Sequence, residues 1–531
     1  MKVLLVQPPV EDFYYTRIRT YPLGLLYLAT KLKDICEVKI FDFTQKRKPR
    51  RVESPFPELK EYYREGIETP FSLFRRYSRY GYTDGEIERV IVEENPDIIC
   101  ISSLFSAYSS FAASVAKIAK RVKSDAITIF GGHHATSLAG LLLKEEFVDY
   151  VIRGEGETPL FELIGLLQGR KSKDLKDIEG LCFKTKSGIY LSERLNYEKE
   201  IDSVPERKLI RRDDYKIGNK AYTFFLTSRG CPNSCAFCSK MALPYRERSL
   251  ESIEAELDSL KRDGVEWIDF EDDMLISGEE RFLKILELFK NRGFFLSAMN
   301  GIYFGSITEK IVKKMEEVGF KRLNLSLVDL SPSVLLGQRR RLTGDWEKIF
   351  RILESSGLNL EVHFIVGLPN QTVFDVLKTI SFLAQRRCLL GPSIYYLFPK
   401  SNETRRVLGD KWYEKLHYMR SSVLLPINPF FSRDALFTLL KICRFVNFLK
   451  GFVDRCKENI TLKDIELPTP EDNEIFKWFI NKKSFLAFDE KVHRFFEEPQ
   501  NKEIIEEFFR LMEGQKIKGF KTSYYVEFKT E

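Results

Sequence analysis

The stretch Arg229-Gly230-Cys231-Pro232-Asn233-Ser234-Cys235-Ala236-Phe237-Cys238 places three cysteines in a CxxxCxxC spacing. A cubane 4Fe-4S cluster takes four thiolates, so three cysteines leave one iron without a protein ligand. Such an open iron can bind the amino and carboxylate groups of S-adenosylmethionine and pass one electron to its sulfonium. The spacing therefore predicts that Cys231, Cys235 and Cys238 hold a cluster and are the catalytic and metal-binding residues.

The alternatives are a zinc site or three unrelated buried cysteines. Structural zinc takes four Cys or His ligands in a closed tetrahedral site. The closest histidines in sequence are His134 and His363, and no further Cys lies near the stretch, so that ligand set is incomplete. The remaining cysteines stand singly in mostly apolar settings, which predicts core residues or surface thiols: Cys36, Cys100, Cys182, Cys388, Cys443 and Cys456.

The cysteine stretch lies near the start of a series of strand and helix patterns that runs from residue 221 to residue 400. The predicted strands are Ala221–Thr227, Val265–Phe270, Phe294–Asn300, Arg322–Leu327, Leu360–Val366 and Pro392–Leu397. Six βα units predict a partial (β/α)6 TIM-like barrel rather than a closed eight-stranded one. Because catalytic groups gather at the carboxyl ends of such strands, the cysteine loop after the first strand marks the active end.

Residues 1–170 also alternate strand and helix patterns, which predicts an α/β domain with a parallel, flavodoxin-like (Rossmann-type) sheet. Its predicted strands are Lys2–Gln7, Val38–Phe43, Asp97–Ser102, Ile127–Phe130 and Tyr150–Arg153. Two glycine turns, Gly131–Thr136 and Gly154–Pro159, fall at strand ends, where ligands of doubly wound sheets bind. Glycine lets the backbone approach a bulky ligand closely.

The other segments are less regular. Residues 171–220 predict a linker with a hairpin at Gly180–Ser192, and the aromatic, Arg-rich insertion 46–83 is interpreted as a lid, a partner surface or ordinary packing. Residues 401–531 predict a mainly helical domain. Its helix Leu436–Val453 is apolar apart from a stripe at Lys441, Arg444, Asn447 and Lys450. This predicts a packed helix or, alternatively, one that makes a peripheral membrane contact or grips an apolar substrate.

Length and charge narrow the class of protein. A chain of 531 residues is too long for one core and predicts three or four units. The net charge of +7, from 84 basic and 77 acidic residues, is mild and does not predict a nucleic-acid partner. Met1–Val6 predicts a first strand rather than a signal peptide, and no run is apolar and long enough to span a bilayer. With an oxygen-sensitive cluster, the expected location is the reducing cytoplasm.

Taken together, these stretches resemble the cobalamin-binding members of the radical S-adenosylmethionine (radical SAM) superfamily over about residues 1 to 400. The resemblance rests first on the cysteine loop, Thr227–Cys238. It rests also on further stretches that follow in the family's order: Tyr21–Leu25, Gly131–Thr136, Arg153–Pro159, Tyr245–Ser249, Phe270–Asp273, Phe364–Pro369 and Tyr396–Pro399. Their joint occurrence is far more specific than any one of them.

The resemblance implies how the nucleotide is bound. Phe237 would lie near the adenine, and Val366 and Gly367 would belong to the turn that supports it. Polar groups at strand ends would take the ribose, amine or carboxylate: Glu271, Asp272, Asp273, Asn300 and Ser326. Arg339 or Arg340 would clamp the carboxylate, since a guanidinium fork suits that group.

The resemblance also implies a cobalamin pocket. The residues that would line it are Ser102, Ser103, Gly131, Gly132, His133, Thr136, Gly154 and Gly156. The chain lacks the DxHxxG pattern by which some cobalamin proteins replace the lower cobalt ligand with histidine. His133 is therefore interpreted as a hydrogen-bonding turn residue, and a site that never loads cobalamin is the alternative.

The favoured hypothesis is methylation of an unactivated carbon in a small-molecule substrate, with an electron donor such as a ferredoxin or flavodoxin. A 5'-deoxyadenosyl radical would abstract hydrogen from the substrate, and methylcobalamin would deliver the methyl group. The alternatives are cyclisation, rearrangement or carbon-carbon coupling without methyl transfer, and a non-catalytic cobalamin-binding or sensing protein. Phenylalanines in the tail favour a hydrophobic substrate, although packing explains them equally well: Phe430, Phe431, Phe437, Phe445, Phe448 and Phe452.

Overall fold

The computed structural model describes residues 1–16, 20–45, 48–73, 76–170, 173–342, 344–399 and 401–530. Residues of the predicted insertion, linker, barrel and tail that lie outside these ranges are Lys46, Arg47, Phe74, Arg75, Lys171, Ser172, Thr343, Lys400 and Glu531.

The N-terminal region is built on the five predicted parallel strands. Its strands are β1 (Lys2–Gln7), β2 (Val10–Asp12), β3 (Glu37–Asp42), β4 (Arg50–Arg51), β5 (Ile67–Glu68), β6 (Ser78–Tyr80), β7 (Ile98–Ser102), β8 (Ile127–Gly131), β9 (Tyr150–Ile152), β10 (Leu181–Thr185) and β11 (Gly188–Tyr190). Its helices are α1 (Leu23–Leu32), α2 (Asp84–Glu94), α3 (Ser109–Val122), α4 (His133–Leu142) and α5 (Glu157–Leu167). Helices cover both faces, which explains why β1 carries a continuous apolar run.

The main sheet of this region has the order β11-β10-β9-β8-β7-β1-β3. Its five parallel strands therefore follow the flavodoxin order, with a switch point between β1 and β7. The predicted hairpin forms as β10 and β11 and extends the same sheet antiparallel to β9. Ligands are expected beyond the carboxyl ends of β1, β7 and β8.

The central region is the predicted partial barrel. Its strands are β12 (Lys216–Ile217), β13 (Lys220–Phe225), β14 (Ser228–Arg229), β15 (Arg246–Glu247), β16 (Trp267–Phe270), β17 (Phe295–Tyr303), β18 (Phe320–Val328), β19 (Asn359–Val366) and β20 (Leu389–Ile394). Its helices are α6 (Leu250–Arg262), α7 (Glu279–Phe289), α8 (Glu309–Val318), α9 (Pro332–Gly337), α10 (Trp346–Glu354) and α11 (Val373–Ala384). The sheet order β12-β13-β16-β17-β18-β19-β20 confirms six parallel strands in sequence.

The C-terminal region is helical, with two small sheets that the sequence did not indicate. Its helices are α12 (Asn402–Leu408), α13 (Arg433–Cys456), α14 (Pro470–Lys482) and α15 (Lys502–Met512). Its strands are β21 (Ile460–Thr461), β22 (Leu486–Asp489), β23 (Arg494–Glu497), β24 (Lys516–Lys518) and β25 (Tyr525–Glu527). One of the sheets, β23-β22-β5, recruits a strand from the insertion.

The insertion is a packing element between the N-terminal and C-terminal regions. Phe71 is buried, and its ring lies 5.3 Å from that of Phe445 and 5.5 Å from that of Phe448. Tyr62 donates a hydrogen bond to Asp434 at 2.5 Å. Of the three interpretations of this segment, ordinary packing is the one that its described residues support.

Helix α13 is a core helix, as the packed-helix interpretation predicted. Most of its polar stripe faces inward: Lys441 and Lys450 are fully buried, and Lys441 pairs with Glu498, whereas Arg444 is exposed. Lys450 donates to the carbonyls of Ala384, Arg386 and Lys518. Because its apolar positions are buried, the helix supports the packed-helix interpretation and gives no support to a membrane contact or to a grip on an apolar substrate.

The aromatic tail residues belong largely to the same core. Phe431, Phe437 and Phe445 are buried, and Phe448 and Phe452 pack against them, whereas Phe430 is 64% exposed. Their abundance reflects packing, so the prediction of a hydrophobic substrate loses its basis. Within the described ranges, no helix has the length and apolar character needed to cross a bilayer.

One buried ion-pair cluster ties the linker to the barrel. Glu256 of α6 is fully buried and accepts from Arg248, and Arg207 lies 2.6 Å away on its other side. Arg207 also donates to Thr223 Oγ1 at 2.8 Å and to the carbonyl of Phe224 at 2.9 Å. The single carboxylate of Glu256 thus provides the negative charge for two guanidinium groups that are buried from solvent.

We expect Glu256→Gln to lower the free energy of unfolding by about 3–5 kcal/mol, because it leaves two buried cations without a counter-charge. Urea denaturation followed by circular dichroism measures this change. Glu251→Gln, on an exposed position of the same helix, is the control and should cost less than about 1 kcal/mol. Equal losses for the two variants would contradict the assignment.

Candidate functional site

A two-residue ladder closes the base of the cysteine loop. Ser228 pairs with Glu247, and Arg229 pairs with Arg246, in an antiparallel register. Gly230 follows with a φ of 81°, and a Cβ there would lie 2.5 Å from the carbonyl oxygen of Pro244. Only glycine fits this turn, so the chain enters the loop in a fixed direction.

Asp272 holds that base from inside the barrel. Its carboxylate accepts from the Thr227 amide at 3.0 Å, the Thr227 hydroxyl at 2.7 Å and the Ser228 hydroxyl at 2.6 Å. Burial raises the pKa of Asp272 to about 6, although these hydrogen bonds oppose the shift. We therefore assign Asp272 a positioning role at the base of the loop, and its contact with the nucleotide stays a prediction.

The three cysteine thiols lie on one short, accessible loop. Cys231 and Cys235 are half-buried, and Cys238 is exposed at its tip. Burial raises the pKa of Cys238, and the nearby Cys235, Asp273 and Cys231 add to that rise. Within the described ranges, no set of three Cys, His, Asp or Glu side chains stands at metal-ligand spacing.

Cations next to these thiols fit a cluster with thiolate ligands. Arg340 Nη1 lies 3.7 Å from Cys235 Sγ, and Lys240 donates to the carbonyl of Cys231. Sulfur donors alone favour an iron–sulfur cluster or zinc, and three of them leave one coordination position for another ligand. The donor set thus fits the predicted cluster, to be held by Cys231, Cys235 and Cys238.

The candidate nucleotide residues gather beside this loop. Glu271 and Asp273 line a cavity at the base of this loop. Asn300 donates to the carbonyls of Glu271 and Asp272 at 3.1 Å. Ser326 accepts from Arg340 at 3.3 Å. These side chains lie at the carboxyl ends of the barrel strands, and their binding of the nucleotide stays a prediction.

Of the two candidate arginines, Arg340 is the one that faces the loop. Its guanidinium lies 4.6 Å from the ring of Tyr303, and its Nε is buried without a hydrogen-bond partner. A buried, unsatisfied donor next to the open side of the cysteine loop fits a carboxylate ligand. Arg339 is exposed, with a φ of 52°, and makes no such contact with the thiols among the described interactions.

The predicted adenine turn is held rigidly. Gly367 and Leu368 donate their amides to Gln371 Oε1 at 2.7 and 3.1 Å, directly after the buried Val366. Phe237 of the cysteine loop packs against the cluster that contains Leu368. The turn and the loop are therefore adjacent, as the resemblance implied.

A cavity of about 420 Å³ lies between the N-terminal sheet and the base of the cysteine loop. From the sheet side it is lined by both glycine turns and the start of α1, including Gly24, Ser102, Gly131, Gly132, His133, Gly154 and Gly156. From the barrel side it is lined by Ser228, Arg229, Gly230, Met241, Leu243, Arg246, Glu271 and Asp273. Its volume falls in the range of ligand sites, roughly 300–1,000 Å³.

The glycines of this cavity suit a ligand that presses against the backbone. A Cβ on Gly131 would meet no atom within 4 Å, so it would project into open space. Gly132 has a φ of 105°, and a Cβ there would lie 2.7 Å from the Ser103 carbonyl oxygen. The site therefore fits the cobalamin that the resemblance implies. Gly131 is the position where the ligand could lie directly against the backbone.

Two of the predicted pocket residues lie outside the cavity lining. Ser103 and Thr136 are buried behind the cavity lining, where Thr136 Oγ1 accepts from the Gly154 amide at 3.0 Å. His134, not His133, makes the turn hydrogen bond, since its Nδ1 lies 2.9 Å from Ser106 Oγ. Burial lowers the pKa of His133, which lines the cavity opposite Asp273.

Sequence reasoning missed four charged side chains that join the two regions, here called the stem network: Glu155, Glu157, Arg229 and Arg246. Arg229 lies 2.8 Å from Glu157 and 3.6 Å from Glu155, and Arg246 lies 2.7 Å from Glu155. Each side chain is at most 13% exposed. Arg229 also stacks 4.4 Å from the ring of Tyr27 on α1.

The linker locks this network in place. Glu198 donates its amide to Glu155 at 2.6 Å, and its carboxylate accepts from Thr158 at 2.8 and 3.0 Å. Burial alone would raise the pKa of Glu155, but hydrogen bonds from Arg246 and the charge of Arg229 lower it below the usual value. The sequence did carry a signal for this network. Two glutamates lie in a glycine turn, and two arginines flank the cysteine loop.

Comparison with known proteins agrees with this geometry. The family model of the B12 binding domain matches residues 79–164, and that of the radical SAM superfamily matches residues 225–383. The chain thus contains a B12 binding domain and a radical SAM domain. These two domains agree with the predicted cofactors, a 4Fe-4S cluster, S-adenosylmethionine and cobalamin.

Individual relatives of this radical SAM chain are distant. An uncharacterised methyltransferase, PH0819 of Pyrococcus horikoshii, is 29% identical over 392 residues, which are 72% of this chain and 77% of that protein. The anaerobic magnesium-protoporphyrin IX monomethyl ester cyclase of Rubrivivax gelatinosus is 25% identical over 56% of each chain. The structure of the methyltransferase TsrM from Kitasatospora setae, with cobalamin and a [4Fe-4S] cluster bound, superposes with a TM-score of 0.57 at 18% identity, over 77% of this chain and 78% of that one.

We expect Asp272→Ala to lower the free energy of unfolding by about 2–4 kcal/mol, because it leaves the buried donors of Thr227 and Ser228 without their acceptor. The reconstituted variant should also lose iron faster than the wild type, measured by iron content over time. Asp273→Ala, at the exposed neighbouring position, is the stability control and should change unfolding by less than about 1 kcal/mol. An Asp272→Ala protein as stable as this control would refute the positioning role.

The lowered pKa of Glu155 makes the stem network sensitive to acid. A carboxylate with a lowered folded pKa stabilises the fold above its unfolded pKa, and this contribution is lost as the pH falls through the folded value. We expect Glu155→Gln to destabilise the protein at pH 7 and the difference from wild type to shrink below about pH 4.5. Denaturant titrations across this pH range check it; a constant difference would contradict the ion pairing.

Proposed function

We propose that this chain is a cobalamin-dependent radical SAM methyltransferase that methylates an unactivated carbon of a small molecule. The observation that carries the proposal is the single cavity lined both by the glycine turns of the B12 binding sheet and by the base of the cysteine loop. A methyl carrier and a radical source must act on the same substrate atom, so their sites must adjoin. Methyltransferase relatives support the same reaction class.

When bound, the cofactors supply one-electron cleavage of S-adenosylmethionine and a transferable methyl group. The chain's own residues position and shield them. Arg340 offers its guanidinium to the carboxylate of the nucleotide, and Asp272 keeps the base of the cysteine loop in place. The apolar lining contributed by Met241 and Leu243 excludes water, which would otherwise quench a radical.

The reaction requires one electron from outside the chain. We propose a ferredoxin or flavodoxin as its source and a reducing cytoplasm as its setting, because the thiols of the cysteine loop must stay reduced to bind iron. Neither the glycine turns nor the cysteine loop selects a particular substrate. The substrate must therefore be recognised by residues beyond the cofactor sites.

A second candidate function is ring closure or another radical reaction without methyl transfer. The specific observation in its favour is the similarity to the cyclase of Rubrivivax gelatinosus. The two reactions share the cleavage of S-adenosylmethionine and differ in its co-products. Methylation consumes a second S-adenosylmethionine as methyl donor, whereas cyclisation does not.

The test is anaerobic incubation of reconstituted enzyme with candidate substrates, followed by chromatography of the nucleosides. We expect both 5'-deoxyadenosine and S-adenosylhomocysteine. A variant with serine at Cys231, Cys235 and Cys238 should form neither, because the cluster is lost. Substrate turnover that yields 5'-deoxyadenosine alone would reject methylation and favour the second candidate.

A further inference from the structure

The ladder at the base of the cysteine loop brings two cations together. Arg229 and Arg246 face each other in register, and both are almost fully buried. Both guanidinium groups contact Glu155, at 3.6 and 2.7 Å, so they lie close enough to repel each other, and low exposure leaves little water to screen them. The base of the loop is therefore electrostatically unfavourable without counter-charges.

Those counter-charges come from a different region of the protein. Among the described ion pairs, Arg229 and Arg246 are neutralised by Glu155 and Glu157, which lie in the glycine turn at the edge of the N-terminal sheet. The same turn contributes Gly154 and Gly156 to the cavity. Any ligand that orders this turn also orders the carboxylates that stabilise the cysteine loop.

The backbone of the glycine turn is held in one conformation. A shift of the turn toward the cavity would therefore also move the carboxylates that pair with the arginines of the cysteine loop. Gly154 has a φ of 90°, and a Cβ there would lie 2.1 Å from the Asn196 carbonyl oxygen. The Asn196 side chain in turn donates to the carbonyl of Glu155 at 2.7 Å. Arg246 also donates to the carbonyl of Glu198, so the linker binds both partners of the ion pair.

We propose that the stem network couples the two cofactor sites, so that corrinoid bound at the glycine turns strengthens retention of the cluster by the cysteine loop. This rests on the two cofactors of the proposed function but not on methyl transfer. Coupling between binding sites is reciprocal: whatever cobalamin adds to cluster retention, the cluster adds to cobalamin affinity. Glu155, Glu157, Arg229 and Arg246 are positioning residues, since they act through the turn and the loop.

The experiment measures iron release from the reconstituted full-length chain under anaerobic chelator challenge, with and without saturating hydroxocobalamin. Cobalt content is measured in parallel. For the wild type we expect cobalamin to slow iron release about fivefold or more, at the lower end of typical coupling. In the double variant Glu155→Gln/Glu157→Gln we expect cobalamin to change the rate less than about twofold, because uncharged amides no longer link the turn to the arginines.

The matched control is Glu162→Gln on α5, which removes the partner of Lys173, an ion pair 2.9 Å long outside the cavity. It should keep the wild-type response to cobalamin. Should the double variant fail to fold, Glu157→Gln alone leaves the Glu155 and Arg246 pair intact and should show a reduced response. Arg246→Lys keeps the charge but loses the guanidinium fork that donates to both Glu155 oxygens. The effect of cobalamin on its iron release should lie between those for the wild type and the double variant.

The outcomes separate this proposal from the proposed function. A wild type that takes up cobalt but releases iron at the same rate with and without it overturns the coupling alone. A double variant that keeps the full wild-type response also overturns it. A wild type that takes up no cobalt overturns both the coupling and the cobalamin-dependent function.

Discussion

The structure depends on the neutralisation of two buried guanidinium groups. Arg229 and Arg246 stand side by side because the two-residue ladder that closes the cysteine loop leaves them no other register. The glutamates that balance them belong to the N-terminal sheet. Removing one partner of a buried ion pair typically costs about 3–5 kcal/mol, which is a large share of the stability of a domain. Docking of the two regions thus adds to what holds the cysteine loop in place.

This constraint explains why the cavity lies where it does. The flavodoxin-like sheet opens toward ligands at its β1 and β7 switch point, and the barrel presents its catalytic loop at the carboxyl end of its first strand. The stem network brings these two ends face to face. Asp272 then fixes the loop from the barrel side, and the linker residue Glu198 fixes the glycine turn from the other.

Much of the architecture could be predicted from the sequence. The alternation of strand patterns with helix patterns located the parallel strands of both sheets, and in the N-terminal sheet β1 has the continuous apolar run of a strand buried on two faces. The cysteine spacing located the loop, since few other uses exist for three cysteines at those positions. Which strand-end residues face the cavity could not be predicted: Asp272 and Asp273 are adjacent in sequence, yet one is buried under the loop and the other lines the cavity.

Other failures share a physical cause. The sequence did not indicate what the polar stripe of α13 contacts: Lys441 and Lys450 bind buried partners in segments distant in sequence. The same holds for the stem network, whose partners lie 72 and 91 positions apart. Hydrophobic periodicity reports local structure, whereas charge pairing across regions is decided only by the assembled fold.

The central claim is that one docked arrangement holds both cofactors against the same cavity. Electron paramagnetic resonance on the reconstituted chain, with cobalamin as cob(II)alamin and the cluster reduced, tests it most directly. The account predicts dipolar broadening of both signals, with a single narrow distribution of distances between the two spin centres. Two independent signals without mutual broadening would show that the cofactors do not share a site.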